Sequence, residues 1–426
     1  MIVYSGLKSD FLTAVVEDSI AAEIEANIYN KMHRRSAQSE FRSWENSLEY
    51  MYKVLNDEAI PLNSGIAIEY NIPQTSKRVD FIISGYGENK DPNVVIIELK
   101  QWDKVDTIDG QDALVETYTG GAVRKVVHPS YQAWSYAAMI YDYNQNVQLE
   151  NIVLHPCAYM HNYRKTNPEK LEENQYKKYV DDAPIFGRGE VSKLREFIKK
   201  SVKTGDDKQL LYDIDNGKIK PSKSLQDSIK SMIEGNQEFI MLDEQKVVYE
   251  EILSKSLECM ADKKKRTVIV KGGPGTGKTV VAINLLAKLT NEGLFVQYTS
   301  KNSAPRNVYA KKLTGHKKSS ISNMFKGAGS YIDAEASIVD TIICDEGHRL
   351  TAKTQLGPKI AGDNQIKEII NSSLCSVFFI DESQRVTLKD IGTVNEIKKW
   401  ADQLDSQVIE MELLSQFRCN GSDGYL

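Results

Sequence analysis

Cysteine is scarce and scattered: Cys157, Cys259, Cys344, Cys375 and Cys419 form no paired Cys-x-x-Cys spacing in 426 residues. That argues against a disulfide framework or a zinc centre and fits a reducing cytoplasm. Long apolar runs are missing as well. No stretch approaches the roughly 18 consecutive apolar residues that a membrane helix needs. Met1-Ile2-Val3-Tyr4-Ser5 lacks the charged-then-apolar layout of a secretory signal. Nor is there an excess of positive charge. The formal net charge is −5, so any nucleic-acid contact must use a local patch. No internal repeat or long low-complexity tract is present. What remains, 41% hydrophobic and 27% charged residues, is an ordinary globular composition. The length calls for roughly two or three domains.

From Ser39 to Asn56 the apolar residues Phe41, Trp44, Leu48, Met51 and Leu55 recur at helical spacing. Strand-like runs follow at Ile66 to Ile72, Val79 to Ser84 and Val94 to Leu99, the last two joined by the turn cluster 85–92 as a hairpin. Tyr131 to Tyr143 reads as helix. Ile152 to Leu154 opens another strand, which Pro156 is expected to limit. These elements predict one α/β domain over 1–203. The polar stretch that follows is expected to be a linker, 204–236. Beyond it, helical segments alternate with buried-strand candidates at Thr267 to Val270, Leu294 to Tyr298, Ile338 to Cys344 and Val377 to Ile380. That alternation predicts a parallel sheet with helices on both faces over 237–410.

Strand Thr267 to Val270 runs into Gly272-Gly273-Pro274-Gly275-Thr276-Gly277-Lys278-Thr279, and an apolar-rich helix continues from Val280. Gly272, Gly273, Gly275 and Gly277 let backbone N–H groups, that of Thr276 included, close around phosphate oxygens where side chains would block them. Lys278 brings positive charge to the terminal phosphates, the Thr279 hydroxyl is placed for Mg²⁺, and the helix N-terminus adds its dipole. The expected cofactors are therefore ATP and Mg²⁺. Ile342-Ile343-Cys344-Asp345-Glu346-Gly347-His348 is an apolar strand ending in two acids, suited to Asp345 as the Mg²⁺ partner and Glu346 as the group that polarises attacking water. Between Gly293 and Ile332 there is no acidic residue, while Lys301, Arg306, Lys311, Lys312, Lys317, Lys318 and Lys326 are basic. In an acidic chain this segregation predicts sequence-independent contact with a phosphate backbone.

Several of these stretches resemble helicase motifs. Asp345-Glu346-Gly347-His348 is similar to the Asp-Glu-Ala-His box, with Gly347 where Ala is usual. Phe378 to Gln384 resembles superfamily-1 motif III, whose Gln senses the γ-phosphate. Leu414-Ser415-Gln416-Phe417-Arg418 resembles motif IV, whose Arg touches the same phosphate. Thr299 to Asn302 sits where a further motif contacts the strand, and Leu242 to Gln245 is similar to the motif whose Gln reads adenine. From Pro221 onward the sequence resembles the bacterial Schlafen-group-3-like ATPase/helicase family. The resemblance implies a RecA-like P-loop lobe and nucleotide-sensing roles for Gln245, Gln384 and Arg418. On the same comparison, 411–426 is expected to be the start of a second, truncated lobe, and turnover by this chain alone is expected to be slow.

In the first domain, Glu98-Leu99-Lys100 puts two charged side chains on one face of a strand. A hairpin centred on Asn89 sets Asp80 opposite Glu98. Directly opposed like charges are destabilising, so their convergence asks for a cation. Mg²⁺ is the natural candidate, with Mn²⁺ behind it, and Lys100 could orient water or stabilise phosphate charge. The arrangement resembles the PD-(D/E)XK nucleases of the restriction-endonuclease-like fold, with Val79 in place of the eponymous Pro. Gln132-Ala133-Trp134-Ser135-Tyr136 is similar to a Gln-x-x-x-Tyr motif of such nucleases, and Gln132 and Tyr136 share a helix face. The resemblance further implies a Glu from the first helix, Glu40 or else Glu45.

Together the halves resemble the nuclease–helicase fusions of bacterial anti-phage immunity. The expected partner is nucleic acid, DNA ahead of RNA, with no membrane. Two other readings stay open: an ATP-dependent switch gating the first domain without unwinding, and a catalytically dead nucleic-acid binder.

Overall fold

In the computed structural model, residues 1–73, 75–166, 168–218, 239–301, 324–356, 359–385, 387 and 389–415 are described. The chain divides into two compact units, with described residues 1–218 and 239–415. Both are α/β.

The first unit is organised on a six-stranded mixed sheet in the order β1-β2-β3-β4-β8-β9. Its strands are β1 (Ile2–Leu7), β2 (Gly65–Asn71), β3 (Arg78–Tyr86), β4 (Pro92–Lys100), β8 (Val153–Met160) and β9 (Ile185–Gly187). β1 to β4 pair antiparallel, whereas β4–β8 and β8–β9 are parallel. Three further strands, β5 (Asp106–Thr107), β6 (Leu114–Thr119) and β7 (Ala122–Val127), form a separate antiparallel sheet. β4 lies inside the large sheet, which explains the unbroken apolar run Val94-Val95-Ile96-Ile97, buried throughout. Phe81, Ile83, Val95 and Ile97 share a core with Trp44, Leu48 and Met51 of helix Gln38–Leu55. The helical spacing read from those residues is the stripe that packs on the sheet. Helix Pro129–Tyr143 packs across β4 and β8.

Two boundaries differ from expectation. Pro156 does not end its strand: β8 runs through it to Met160, in register with Ile96 of β4. The Ala158 N–H donates toward the β9 side, to the Pro184 carbonyl, and β9 pairing begins only at Ala158. Two residues earlier the imino nitrogen of Pro156 faces that same side before a partner strand exists, so no ladder hydrogen bond is lost. The expected linker also starts too early. Thr204 bridges to Tyr86, and the Asp206 carboxylate accepts from Gly65 N at 2.9 Å and Ser84 Oγ at 2.8 Å. Helix Gln209–Asp215 then buries Leu210, Leu211 and Ile214. Polar residues here tie the segment down instead of solvating it.

The second unit is built on six parallel strands in the order β12-β11-β13-β16-β10-β17. They are β10 (Arg266–Gly272), β11 (Val296–Ser300), β12 (Phe325–Gly327), β13 (Val339–Cys344), β16 (Ser373–Ile380) and β17 (Gln407–Leu413). A small hairpin, β14 (Thr354–Leu356) with β15 (Lys359–Ala361), stands apart. β16 is buried along its whole length, as the alternation of apolar segments predicts for the middle of a parallel sheet. β10 lies between β16 and β17, with helix Lys278–Asn291 leaving its carboxyl end. Among the described residues no helix is long and apolar enough to cross a membrane. The described cysteines, Cys157, Cys259, Cys344 and Cys375, are free and buried.

Candidate functional site

The phosphate loop follows β10. Gly275 and Gly277 hold φ of 80° and 83°, values at which a side chain would be strained. Thr276 Oγ1 donates to the Gly273 carbonyl at 3.0 Å, closing the loop on itself. Lys278 Nζ donates to the carbonyls of Gly272 and Gly273, each at 2.7 Å, so its charge lies over the loop. Thr279 Oγ1 donates to Asp345 Oδ2 at 2.8 Å, and Tyr298 donates its hydroxyl to the same oxygen at 2.7 Å. β13 thus delivers Asp345 to the loop across the intervening strand β16. Thr279 and Asp345 offer only oxygen donors at one point, the kind of set Mg²⁺ uses with one or two carboxylates and substrate phosphates.

Glu346 follows at a φ of 53°, with Oε2 at 3.4 Å from Ser300 Oγ. Burial, then the neighbouring charge of Asp345, raises its carboxyl above the ordinary range, toward the value that suits a base. Gly347 packs where a side chain has little room: a Cβ there would lie 3.0 Å from Ile380 Cγ2 and 3.3 Å from the Phe379 carbonyl. This accounts sterically for its departure from the Asp-Glu-Ala-His pattern. His348 Nδ1 accepts from Asp381 N at 3.2 Å, and burial lowers its pKa, keeping the ring a neutral acceptor.

The residues expected to sense nucleotide are placed differently. Gln245 is buried, with Nε2 donating to the Thr276 carbonyl at 3.0 Å and Oε1 accepting from Leu242 N at 3.3 Å. Both ends of its amide hold the loop and its own helix start, which is a bracing position for a residue expected to read adenine. Gln384 donates to Asp381 Oδ2 at 2.5 Å. Lys301 Nζ lies 3.4 Å from Asp390, a buried carboxylate that also pairs with Arg349 at 3.5 Å. Arg418, Arg306, Lys311, Lys312, Lys317 and Lys318 lie outside the described residues.

The first unit holds a cleft of about 510 Å³ whose lining includes Glu40, Asp80, Glu98, Lys100 and Gln132. The β3–β4 register runs from Tyr86↔Pro92 to Phe81↔Ile97, so one further step aligns Asp80 with Glu98. Asp80 Oδ2 accepts from Leu99 N at 2.8 Å. Burial raises the Asp80 pKa against the opposing pull of Lys100. Two carboxyl groups opposed across a hairpin disfavour double ionisation, which a cation beside them, here Lys100, offsets. Lys100 Nζ stands 2.7 Å from Glu98 Oε1 and lies over the Trp102 ring, 5.4 Å from its centroid. Gln132 Nε2 donates to the buried Tyr136 hydroxyl at 2.8 Å, as their spacing on one helix face predicts.

Glu40 lines the cleft and Glu45 is exposed elsewhere on the helix. Glu40 Oε1, however, meets Arg78 Nη2 at 2.6 Å. Arg78 Nη1 lies 2.7 Å from Glu69 Oε2, and Glu69 Oε1 accepts from Trp44 Nε1 at 2.8 Å. Sequence reasoning missed Glu69 and Arg78. Each left a signal: Glu69 is an acid inside the apolar strand Gly65–Asn71, and Arg78 shares strand parity with Asp80. Glu69 stands across from Asp80 in the β2–β3 register and has a φ of 58°. Burial, opposed by Arg78 and reinforced by Asp80, raises its pKa to about 7. Among the described residues no group of three or more His, Cys, Asp or Glu side chains is arranged to hold a metal ion.

Residues 265–426 match the family described as "Schlafen group 3, DNA/RNA helicase domain", so this part of the chain is helicase-like. A solved structure described as "Crystal structure of DNA replication initiation factor" shares 13% identity at a TM-score of 0.23, covering 41% of this chain. The chain spans about half (48%) of that protein's length. A comparison with curated proteins gave no match.

Proposed function

We propose that the protein is a nuclease–helicase-type enzyme. In this reading the first unit, with described residues 1–218, is a restriction-endonuclease-like domain that cleaves nucleic-acid phosphodiester bonds, DNA ahead of RNA. The second, over 237–410, is a RecA-like lobe that binds and hydrolyses ATP. The observation that carries the cleavage reading is the meeting of Asp80, Glu98, Lys100 and Gln132 in one cleft. Asp80 and Glu98 would hold a divalent cation between them, and Mg²⁺ bound there would supply Lewis-acid stabilisation of phosphoryl charge. Lys100, held between the Glu98 carboxylate and the Trp102 ring, orients the attacking water. The water oxygen loses a proton to solvent and forms the new P–O bond as the bond to the leaving oxygen breaks, and the leaving oxygen takes up a proton from solvent. Gln132 and Tyr136 position the strand.

In the second unit the loop backbone and Lys278 hold the triphosphate, Thr279 and Asp345 serve Mg²⁺, and Glu346 polarises water. Gln245 braces the loop from behind. The family resemblance supports a role in bacterial anti-phage defence in the cytoplasm. One observation favours a second reading, a nucleotide-dependent switch on a nucleic-acid-binding domain that does not cut. The Glu98 carboxylate is already met by Lys100 at 2.7 Å, so its charge is offset within the chain. Purified protein incubated with single- and double-stranded DNA and RNA, with Mg²⁺ or Mn²⁺ and with or without ATP, separates the two. Metal-dependent cleavage lost in Asp80→Asn is the expected result. Binding without cleavage under every condition overturns the nuclease assignment.

A further inference from the structure

The cleft contains a second charged constellation that neither the paired acids nor the Gln–Tyr pair uses. Arg78 lines the cleft from β3, two residues from Asp80 and so on the same side of the strand. Its guanidinium is gripped from two directions, by Glu40 at 2.6 Å and by Glu69 at 2.7 Å. The second contact is an ion pair only: Arg78 Nη1 is buried and has no hydrogen-bond acceptor in line. Glu69 reaches it from left-handed backbone at a φ of 58° inside a strand, a conformation costly for any residue with a side chain. Trp44 Nε1 fixes the other oxygen of Glu69. Neutralising Arg78 would require only Glu40, so the second, strained carboxylate serves to aim the guanidinium.

Electrostatics says what it is aimed at. Glu40, Glu69, Asp80 and Glu98 all line the cleft, and a nucleic-acid backbone entering it meets four acidic side chains. Lys100 and a divalent cation offset Asp80 and Glu98 alone. Arg78 gives Glu40 one N–H of Nη2 and keeps the second, and its side chain is 23% exposed, so one phosphodiester oxygen is the partner its remaining donor fits. We propose that Arg78, held by Glu40 and Glu69, binds a backbone phosphate of the nucleic-acid strand in this cleft. Glu69 acts through Arg78 as a positioning residue. The proposal rests on the nucleic-acid reading of the cleft and adds to it a specific anion site.

The test removes one phosphate charge at a time. Single-stranded oligonucleotides carrying one neutral methylphosphonate linkage, scanned along the strand, are titrated by fluorescence anisotropy in Ca²⁺, with substrate integrity checked on a gel. At one linkage the neutral group should weaken wild type about tenfold, as for loss of one charge-assisted contact. Arg78→Gln should bind the unmodified strand about tenfold more weakly and lose nothing further at that linkage. Glu69→Gln should reduce the discrimination partway. Should Arg78→Gln unfold, Arg78→Lys keeps the charge without the fork and carries the same comparison, with discrimination at that linkage reduced. Equal losses in wild type and variant at every linkage overturn the proposal. Cleavage of the unmodified strand in Mg²⁺ is read separately. Coupling without cleavage sinks the nuclease reading and leaves the phosphate site standing, while cleavage without coupling does the reverse.

Discussion

The two sites are made of different material. The phosphate loop is mainly a backbone site: of eight consecutive residues, 272–279, all but Pro274 carry an N–H, and side chains such as Lys278, Thr279 and the distant Asp345 complete it. The cleft of the first unit is a side-chain site, drawn from helix Gln38–Leu55, three strands and helix Pro129–Tyr143. A backbone site needs glycine and one turn, and its like charges are confined to the neighbours Asp345 and Glu346. A side-chain site must bring like charges together, and it shows the cost in raised carboxyl pKa values and a residue in left-handed backbone. The first kind is tolerant of its surroundings and the second depends on strand register.

That contrast predicts different responses to substitution. In the cleft, Asp80→Asn or Glu98→Gln should lower metal-dependent cleavage by more than about 10³-fold, the equivalent of several kcal/mol of charge stabilisation. Nucleotide binding should be untouched. A rate within tenfold of wild type would break the comparison, because the side-chain site would then not depend on its paired acids. In the loop, Lys278→Ala should remove the stabilisation that saturating Mg·ATP provides. At a hundredfold excess over Kd that is about 2.7 kcal/mol, read as a lost thermal shift. An undiminished shift would mean that the backbone alone suffices.

Legibility followed the same division. The loop could be read outright because its residues are contiguous and each is required by local geometry. Asp80 and Glu98 could be read because a hairpin fixes its own register, so counting from Asn89 paired them. Glu69 could not, since its relation to Asp80 depends on the β2–β3 pairing and on a positive φ that no pattern announces. Nor does Glu40 betray from sequence that its partner is Arg78 and not the paired acids. Pro156 misled because a breaker is harmless where no neighbouring strand asks for its N–H. Polar residues 204–215 misled because Asp206 is buried and satisfied. Periodicity yields no element before Ser39, yet β1 and two helices, Lys8–Val16 and Ile20–Met32, lie there. β1 is an edge strand among the described residues, and its side chains are buried at successive positions and not at alternate ones, so no period of two marks it.

The cost of crowding acids can be measured by pH. The Glu69 carboxyl stands near 7 in the folded chain against an ordinary 4.5, raised by burial and by Asp80 and lowered by Arg78. Between those values the native chain keeps a proton that the unfolded chain has released, so the native state binds more protons. Stability from this group is complete below pH 4.5 and is lost as pH rises through about 7. The loss should be on the order of 2 kcal/mol. Urea denaturation between pH 5 and 8 reads the slope, and Glu69→Gln should flatten it. A slope unchanged in that variant would assign the cost to another group.

The smallest expected effect sharpens the comparison from the loop's side, where a single methyl group is the probe. Gly347 and Gly392 face each other beside the Asp345-Glu346 turn, and neither has a positive φ. Alanine adds no strain from φ at either position, so the difference between the two is one of space. At 347 the nearest atom to an added Cβ is Ile380 Cγ2 at 3.0 Å, the end of a side chain that can yield by a few tenths of an ångström. At 392 it is the Gly347 carbonyl oxygen at 2.0 Å, which is backbone and cannot yield without moving the turn that carries Glu346. Gly347→Ala should cost about 1 kcal/mol in denaturant unfolding and leave ATP turnover nearly unchanged. Gly392→Ala should cost more and should also slow turnover, because the turn itself is displaced. Equal costs at the two positions would mean that the backbone here repacks as freely as a side chain. The distinction between a site made of backbone and a site made of side chains would then fail at the point where it is tested most finely.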